Sequence, residues 1–316
     1  MRILVTGGAG FVGSSVVSDL LARGIEVRVI DKARGALPRL RNATLEVIQG
    51  GIEDWETVQQ AMKGVDVVYH LADTFSSESY EVLDIDVKGN INLLETAAAC
   101  GIRHFLFAST HRVYGRPRYL PIDEEHPLNP EESGRALYAI FKLANEKLCL
   151  WYWRGHDLPV TIFRFWWSFG HEIGGRALRT LIDTALKGQP IRVPEGAGGS
   201  FLHNDDAAGA FYMATLNEKA YGQIFNLSSG TFTTWQQLAE LVCELTNSSS
   251  RLELVPKEEW QGDSSIGVDQ SIPYICNLDI TKADRLIGYD PKYSSQEVKK
   301  LLREAVNRLV LAREKS

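Results

Sequence analysis

The segment Thr6-Gly7-Gly8-Ala9-Gly10-Phe11-Val12-Gly13 constrains this chain more than any other. It carries two overlapping glycine spacings, Gly7/Gly10/Gly13 and Gly8/Gly10/Gly13, directly after a short apolar run, Arg2 to Val5. Beyond it, Phe11, Val12, Val16, Val17, Leu20 and Leu21 recur at helical spacing. Glycine permits a tight turn, lets the backbone come close to an anion, and lets a helix pack tightly on a strand. The helix that follows turns its unpaired N–H groups and the positive end of its dipole toward that anion. A second strand, Glu26 to Ile30, closes with Asp31. Strand, glycine turn, helix and strand then make a unit of roughly thirty residues, the size of one right-handed crossover. This context predicts a dinucleotide site on Gly7, Gly10, Phe11, Val12 and Gly13, with Asp31 accepting hydrogen bonds from a ribose diol and repelling a 2'-phosphate. NAD is thereby favoured over NADP. Lys32 and Arg34, just past the strand, read either as solvated turn residues or as cations able to take that phosphate.

The alternation continues. Leu45 to Ile48, Val65 to Tyr69, Phe105 to Ala108 and Val160 to Phe163 read as strands, separated by helices at Trp55 to Met62, Tyr80 to Cys100 and Arg135 to about Trp153. Near-continuous apolar strands between helices predict an α/β fold, a doubly wound parallel (Rossmann) sheet covered on both faces. After Phe165 the pattern loosens, and Pro190 to Gly199 is turn-laden. The expected division is a dinucleotide-binding domain over 1–165 plus about 201–230, the latter returning a strand at Ile224 to Leu227. A smaller α/β substrate lobe takes 166–200 plus 231–316.

Composition narrows the partners. Lys and Arg number 34 against 40 Asp and Glu, a formal charge of -6, so there is no basic surplus to release counterions from a nucleic acid. Cys100, Cys149, Cys243 and Cys276 form no C-x-x-C pair, and the histidines show no metal-ligand spacing; the cysteines read as small hydrophobes in a reducing cytoplasm, and no metal is expected. No apolar run is long enough to span a membrane, since Arg164 interrupts the aromatic stretch, and the start of the chain lacks the long apolar region of a signal peptide. The partner is expected to be a small molecule.

Tyr138 and Lys142 lie four residues apart and so share one helix face. Free tyrosine, with a pKa near 10, is a poor base at neutral pH, but a neighbouring ammonium and an oxidised nicotinamide both favour the phenolate. The pair therefore predicts an acid–base group able to take a hydroxyl proton, with Lys142 also free to hold the nicotinamide ribose. Thr110, just past the strand Phe105 to Ala108, stands where ligands collect in open parallel sheets; Ser109 competes for the same part.

With these residues in view, the chain resembles the extended short-chain dehydrogenase/reductases, the NAD-dependent epimerase/dehydratase family. The resemblance covers nearly the whole length. It rests on TGGAGFVG, Asp31, HLAD at His70 to Asp73, ASTHRVYG at Ala108 to Gly115, Tyr138-x-x-x-Lys142, SFLHNDDAAGA at Ser200 to Ala210 and FNLSSG at Phe225 to Gly230. It implies a Thr110, Tyr138, Lys142 catalytic triad, tightly bound NAD, a C-terminal substrate lobe, and a homodimer through the helices at about Tyr80 to Cys100 and Arg135 to Trp153. Lys32, Ile52, Leu71 and Ala72 join the cofactor candidates, and Thr74, His111, Trp167 and Arg176 are the substrate candidates.

Several positions depart from the family pattern. Gly51 precedes Ile52 where an Asp near adenine is common, and Asp86 replaces the Asn of N-V-x-G-T. Arg164-Phe165-Trp166-Trp167 replaces R-Y-F-N, and the Arg usual before F-I-H is missing at Gly199 and Ser200; losing a cationic diphosphate clamp considerably weakens the nucleotide-sugar reading. His111 and Arg112 stand where dehydratases tend to carry acids, which argues against a 4,6-dehydratase. His111 also reads as a structural histidine, Trp167 as pocket lining or packing, Trp151 and Trp153 as packing or interface, and Arg176 and Arg179 as anion ligands or a solvated helix face. Three functions follow: an NAD-dependent epimerase of a sugar or nucleotide sugar; an NAD(P)-dependent dehydrogenase or reductase of a small sugar, sugar acid or alcohol; and a catalytically idle dinucleotide sensor, against which the intact Thr110, Tyr138 and Lys142 set argues.

Overall fold

The computed structural model describes residues 1–33, 44–74, 76–260 and 275–314. Its first half alternates β1 (Arg2–Thr6), α1 (Phe11–Ala22), β2 (Glu26–Asp31), β3 (Leu45–Gln49), α2 (Trp55–Met62), β4 (Val67–His70), α3 (Ser79–Val82), α4 (Gly89–Cys100), β5 (His104–Ala108), α5 (Ala136–Gly155) and β6 (Val160–Phe165). Then come β7 (Ser168–Phe169), α6 (Arg176–Leu186), β8 (Ile191–Pro194), β9 (Gly198–Ser200), β10 (Leu202–His203), α7 (Asn204–Ala214) and β11 (Gln223–Leu227). The chain finishes with β12 (Phe232–Thr234), α8 (Trp235–Leu245), β13 (Leu252–Val255), β14 (Ile275–Cys276), α9 (Thr281–Ile287) and α10 (Ser295–Glu314).

Seven strands form one parallel sheet in the order β3-β2-β1-β4-β5-β6-β11. Each residue of β4 and β5 is buried, as strands covered on both faces must be. This is the doubly wound Rossmann-type sheet the alternation predicts, and β11 is the returning strand. The order reverses between β1 and β4, which places a crevice beyond their carboxyl ends. One face packs Val16, Leu20 and Phe211 from α1 and α7, joined by Ile287 of α9; the other packs Met62, Leu94 and Cys149 from α2, α4 and α5. A separate core of Phe169, Leu181, Phe201, Trp235 and Val306 gathers α6, α8 and α10. Among the described residues no helix is long and apolar enough to cross a membrane.

The helix expected over Tyr80 to Cys100 is continuous but not uniform. Leu83–Lys88, between α3 and α4, is π-helical. Here Asn145 of α5 donates from Nδ2 to the backbone carbonyl of Asp86 at 3.0 Å, an outside donor of the kind that widens a helix locally. The widened turn brings the Asp86 side chain inside, only 6% exposed.

Candidate active site

The glycine loop is built as its spacing requires. Gly7 has φ +67°, and a Cβ there would sit 2.8 Å from the backbone of Ala72 beyond β4. At Gly13 a Cβ would overlap the carbonyl of Gly7, so the first turn of α1 closes only on glycine. Helix α1 has no side-chain cap at Gly10 and no acidic residue in its first turn. Its N–H groups are thus open to an anion, and the cradle fits a pyrophosphate. Asp31 holds the loop in shape, one carboxylate oxygen accepting from Ala9 N and the other from Ala33 N, both at 3.0 Å. Leu71 and Ala72 fasten the opposite wall, donating their N–H groups to the backbone and side-chain oxygens of Thr6, each at 3.2 Å. Phe11 is 42% exposed at the start of α1, Val12 packs toward the core, and Ile52 is buried against Gly89.

Around Lys32 the structure adds what the sequence did not indicate. Its ammonium lies 2.8 Å from Glu53 Oε1, and the Glu53 carboxylate fills the space a side chain at Gly51 would take. The cation beside Asp31 is therefore already paired, which disfavours a 2'-phosphate. Arg34 lies outside the described residues.

Thr110, Tyr138 and Lys142 meet at the carboxyl end of β5. Thr110, 6% exposed, caps the turn His111–Tyr114, its hydroxyl accepting from Arg112 N at 3.3 Å. Ser109 is otherwise committed: it donates to Glu146 Oε1 at 2.5 Å. Glu146 in turn receives Arg164 Nε at 2.9 Å and Nη2 at 2.6 Å, a pair whose side chains are each 1% exposed. Burial opposes the Arg164 charge, but this partner outweighs it and holds the guanidinium protonated. Of the two hydroxyls, that of Thr110 is the one not engaged by the Glu146–Arg164 pair. Lys142 reaches back from α5 and donates to the carbonyl of Ala108 at 3.0 Å.

The spacing of Tyr138 and Lys142 predicts a phenol made acidic by the ammonium. Instead, burial and then the carboxylate of Asp73 hold the phenol well above its ordinary pKa, with Arg112 and Arg135 opposing. Asp73 Oδ2 also sits 2.8 Å from Lys142 Nζ and pairs with it, and Asp73 accepts from the Tyr138 hydroxyl. Asp73 lies within the HLAD stretch, one residue past the Ala72 wall, so its place at the ligand edge of β4 was the available signal. Arg135, whose guanidinium stands 5.0 Å from the centre of the Tyr138 ring, gave none.

The substrate candidates scatter. Thr74 donates its N–H and hydroxyl to the two Asp86 oxygens at 2.9 and 3.1 Å. His111 is buried against Trp166, its ring edge-on at 6.3 Å, and burial lowers its pKa well below the usual value, so the ring is neutral. Trp167 packs against Phe201 and Trp235 of the separate core and donates from Nε1 to Gly174 O at 3.0 Å. Arg176 is exposed at the start of α6.

Comparison with known proteins shows which family the chain falls in. The chain is 30% identical over 313 residues to a UDP-N-acetyl-alpha-D-glucosaminuronate decarboxylase of Bacillus cytotoxicus, covering 94% of each. It is 31% identical over 309 residues to a putative UDP-glucose 4-epimerase of Methanocaldococcus jannaschii, covering 93% of this chain and 95% of that one. Among solved structures, the UDP-glucose 4-epimerase of Thermotoga maritima with UDP-glucose superposes with a TM-score of 0.77 at 26% identity, covering 100% and 99% of the two chains. The family model for the NAD dependent epimerase/dehydratase family matches residues 3–228. The chain belongs to that family and is an NAD-dependent enzyme of the extended short-chain dehydrogenase/reductase type.

Proposed function

We propose that the chain is an epimerase of a nucleotide sugar, which oxidises a hydroxyl-bearing carbon transiently and reduces it again from the other face. The observation that carries this reading is the meeting of Thr110, Tyr138 and Lys142 beside the glycine cradle, without an acid after the threonine. His111 is a buried neutral imidazole and Arg112 a guanidinium, and neither is the carboxylate that elimination calls for. The names of the similar proteins support a UDP-sugar as the class of substrate.

Bound NAD supplies a reversible two-electron oxidant. The α1 N-terminus and the Gly7 to Gly13 backbone would hold its pyrophosphate, and Asp31 its adenosine ribose. Thr110 orients the reacting hydroxyl, Tyr138 exchanges its proton, and Lys142 fixes the ribose side of the crevice. The test is to follow absorbance at the NADH band while candidate UDP-sugars turn over. Isomerisation without stoichiometric NADH is expected. Accumulating NADH would reassign the chain as a net dehydrogenase, and release of carbon dioxide from a UDP-uronic acid as a decarboxylase. Tyr138→Phe should lower turnover by about 10²–10⁴-fold while NAD affinity changes little; turnover like that of the unaltered chain would remove Tyr138 from the chemistry.

The same reading extends to a homodimer. Tyr80, Leu83 and Ile91 on the α3–α4 stretch and Ile140 and Trp151 on α5 are large apolar side chains left exposed on the two helices in question. Trp153, by contrast, packs over Gly222 and beside Tyr221.

A further inference from the structure

Arg112 is a half-buried guanidinium that pairs with no carboxylate among the described residues. It lies on the turn His111–Tyr114, two residues past Thr110, whose hydroxyl accepts its N–H at 3.3 Å. Its side chain is hydrogen-bonded to Ser133, whose Oγ accepts from Nη1 at 3.4 Å. Acids of the neighbouring segments answer other cations: Asp73 pairs with Lys142 at 2.8 Å, Glu146 with Arg164 at 2.6 Å and Glu132 with Arg118 at 2.6 Å. Ser133 is buried, and its Oγ also accepts from Arg135 N at 3.4 Å. Both contacts use the oxygen, so its own hydrogen is donated to no described residue. Arg135 stands over the phenol, its guanidinium 5.0 Å from the centre of the Tyr138 ring, and the charges of Arg112 and Arg135 both act on the Tyr138 hydroxyl. Hydrogen-bond donors and positive charge thus gather beside the group that exchanges the proton, in a chain whose formal charge is -6.

We propose that Arg112 and Ser133 form a carboxylate subsite, so that the sugar taken here is a uronic acid whose carboxylate hangs from the carbon next to the reacting one. This deepens, and rests on, the reading above that the chain acts on a hydroxyl of a nucleotide sugar. The planar fork of a guanidinium meets a carboxylate with two parallel N–H···O bonds, and the Ser133 hydroxyl supplies a further donor. A half-buried cation has given up part of its hydration; an ionised ligand group restores the lost interaction, and a neutral hydroxymethyl group does not. Arg135 adds positive potential from the start of α5. The same ligand carries a second anion, its diphosphate. That group hangs from the anomeric carbon, across the ring from a hydroxyl that neighbours a C5 carboxylate. A cation beside the phenol is therefore placed for the carboxylate.

The experiment titrates the full chain, loaded with NAD, calorimetrically with UDP-glucuronic acid, UDP-glucose and UDP. The unaltered chain should bind UDP-glucuronic acid about tenfold or more tighter than UDP-glucose. Arg112→Met should abolish that preference and leave the affinity for UDP unchanged, Arg112→Lys should keep part of it, and Ser133→Ala should reduce it a few-fold. Equal affinity for the two sugars in the unaltered chain, or a preference that survives in folded Arg112→Met, overturns the subsite. So does an equal weakening of all three ligands, which would assign Arg112 to the diphosphate instead. Should Arg112→Met not fold, Arg112→Gln and the preference of the unaltered chain decide the matter in the same way. Binding of neither UDP-sugar nor UDP would defeat the nucleotide-sugar reading itself; glucuronate against glucose then gives the ratio that tests Arg112. Binding of UDP-glucuronic acid with the expected preference but without isomerisation would defeat the epimerase reading and leave the subsite standing, so the two failures are distinct.

Discussion

On the proposed cofactor site, Asp31 and Glu53 would together favour NAD, one by its own charge and the other by pairing Lys32. Asp31→Ala should weaken NAD and shift the NAD-to-NADP affinity ratio by about tenfold or more toward NADP, because a repelling charge is lost. Adding Glu53→Gln, which releases the Lys32 ammonium, should shift it further; calorimetric titration with both dinucleotides reads the ratio, and an unchanged ratio in the double variant contradicts the assignment. Asp31 was legible in the sequence because its distance from the glycine loop is set by one crossover. Glu53 was not, since it meets Lys32 only through the loops after two neighbouring strands, β2 and β3. The carboxylate beside the phenol was not legible for a similar reason: Tyr138 and Lys142 are local in sequence, while Asp73 arrives from another strand.

The alternating strands and helices were readable because a strand buried on both faces leaves a short, unbroken apolar run. The two- and three-residue strands β7, β9, β10, β12 and β14 have too few residues to show a period. Nor does any pattern announce the π-helical turn, which depends on Asn145 from another helix. That turn has a measurable cost. Asp86 has a folded pKa raised to about 6, above its unfolded value, so its contribution to stability is favourable when protonated and is lost as pH rises from about 4 through 6. Asp86→Asn should therefore be more stable than the unaltered chain at pH 8, by about 1–3 kcal/mol, with the difference closing toward pH 4. Urea unfolding at the two pH values measures this; a difference independent of pH would refute it. On the outer faces of the same helices, Ile140→Glu with Trp151→Glu should convert a dimer to monomers in sedimentation velocity, and an unchanged coefficient would place the interface elsewhere.

Acid sensitivity belongs to the whole molecule. His70 and His104 are pushed down to about 3 by burial, with the Lys142 charge adding to the effect at His70, and His111 is also lowered by burial. Their rings are held by Thr6, by Thr161 and Leu216, and by the Phe165 carbonyl. With folded pKa values below the unfolded one, each contributes stability that is complete above about pH 6.5 and is lost as pH falls, by up to about 2 kcal/mol per ring at pH 5. Asp86 works in the opposite direction but is one group against three. Unfolding free energy should therefore fall from pH 7 to pH 5, and a flat profile would show that these rings are not buried neutral. The arrangement of Ser109, Glu146 and Arg164 carries a different consequence. It rivets two neighbouring strands and the long helix into a single block that carries the threonine and the tyrosine alike, so one buried hydrogen-bonded unit sets their spacing.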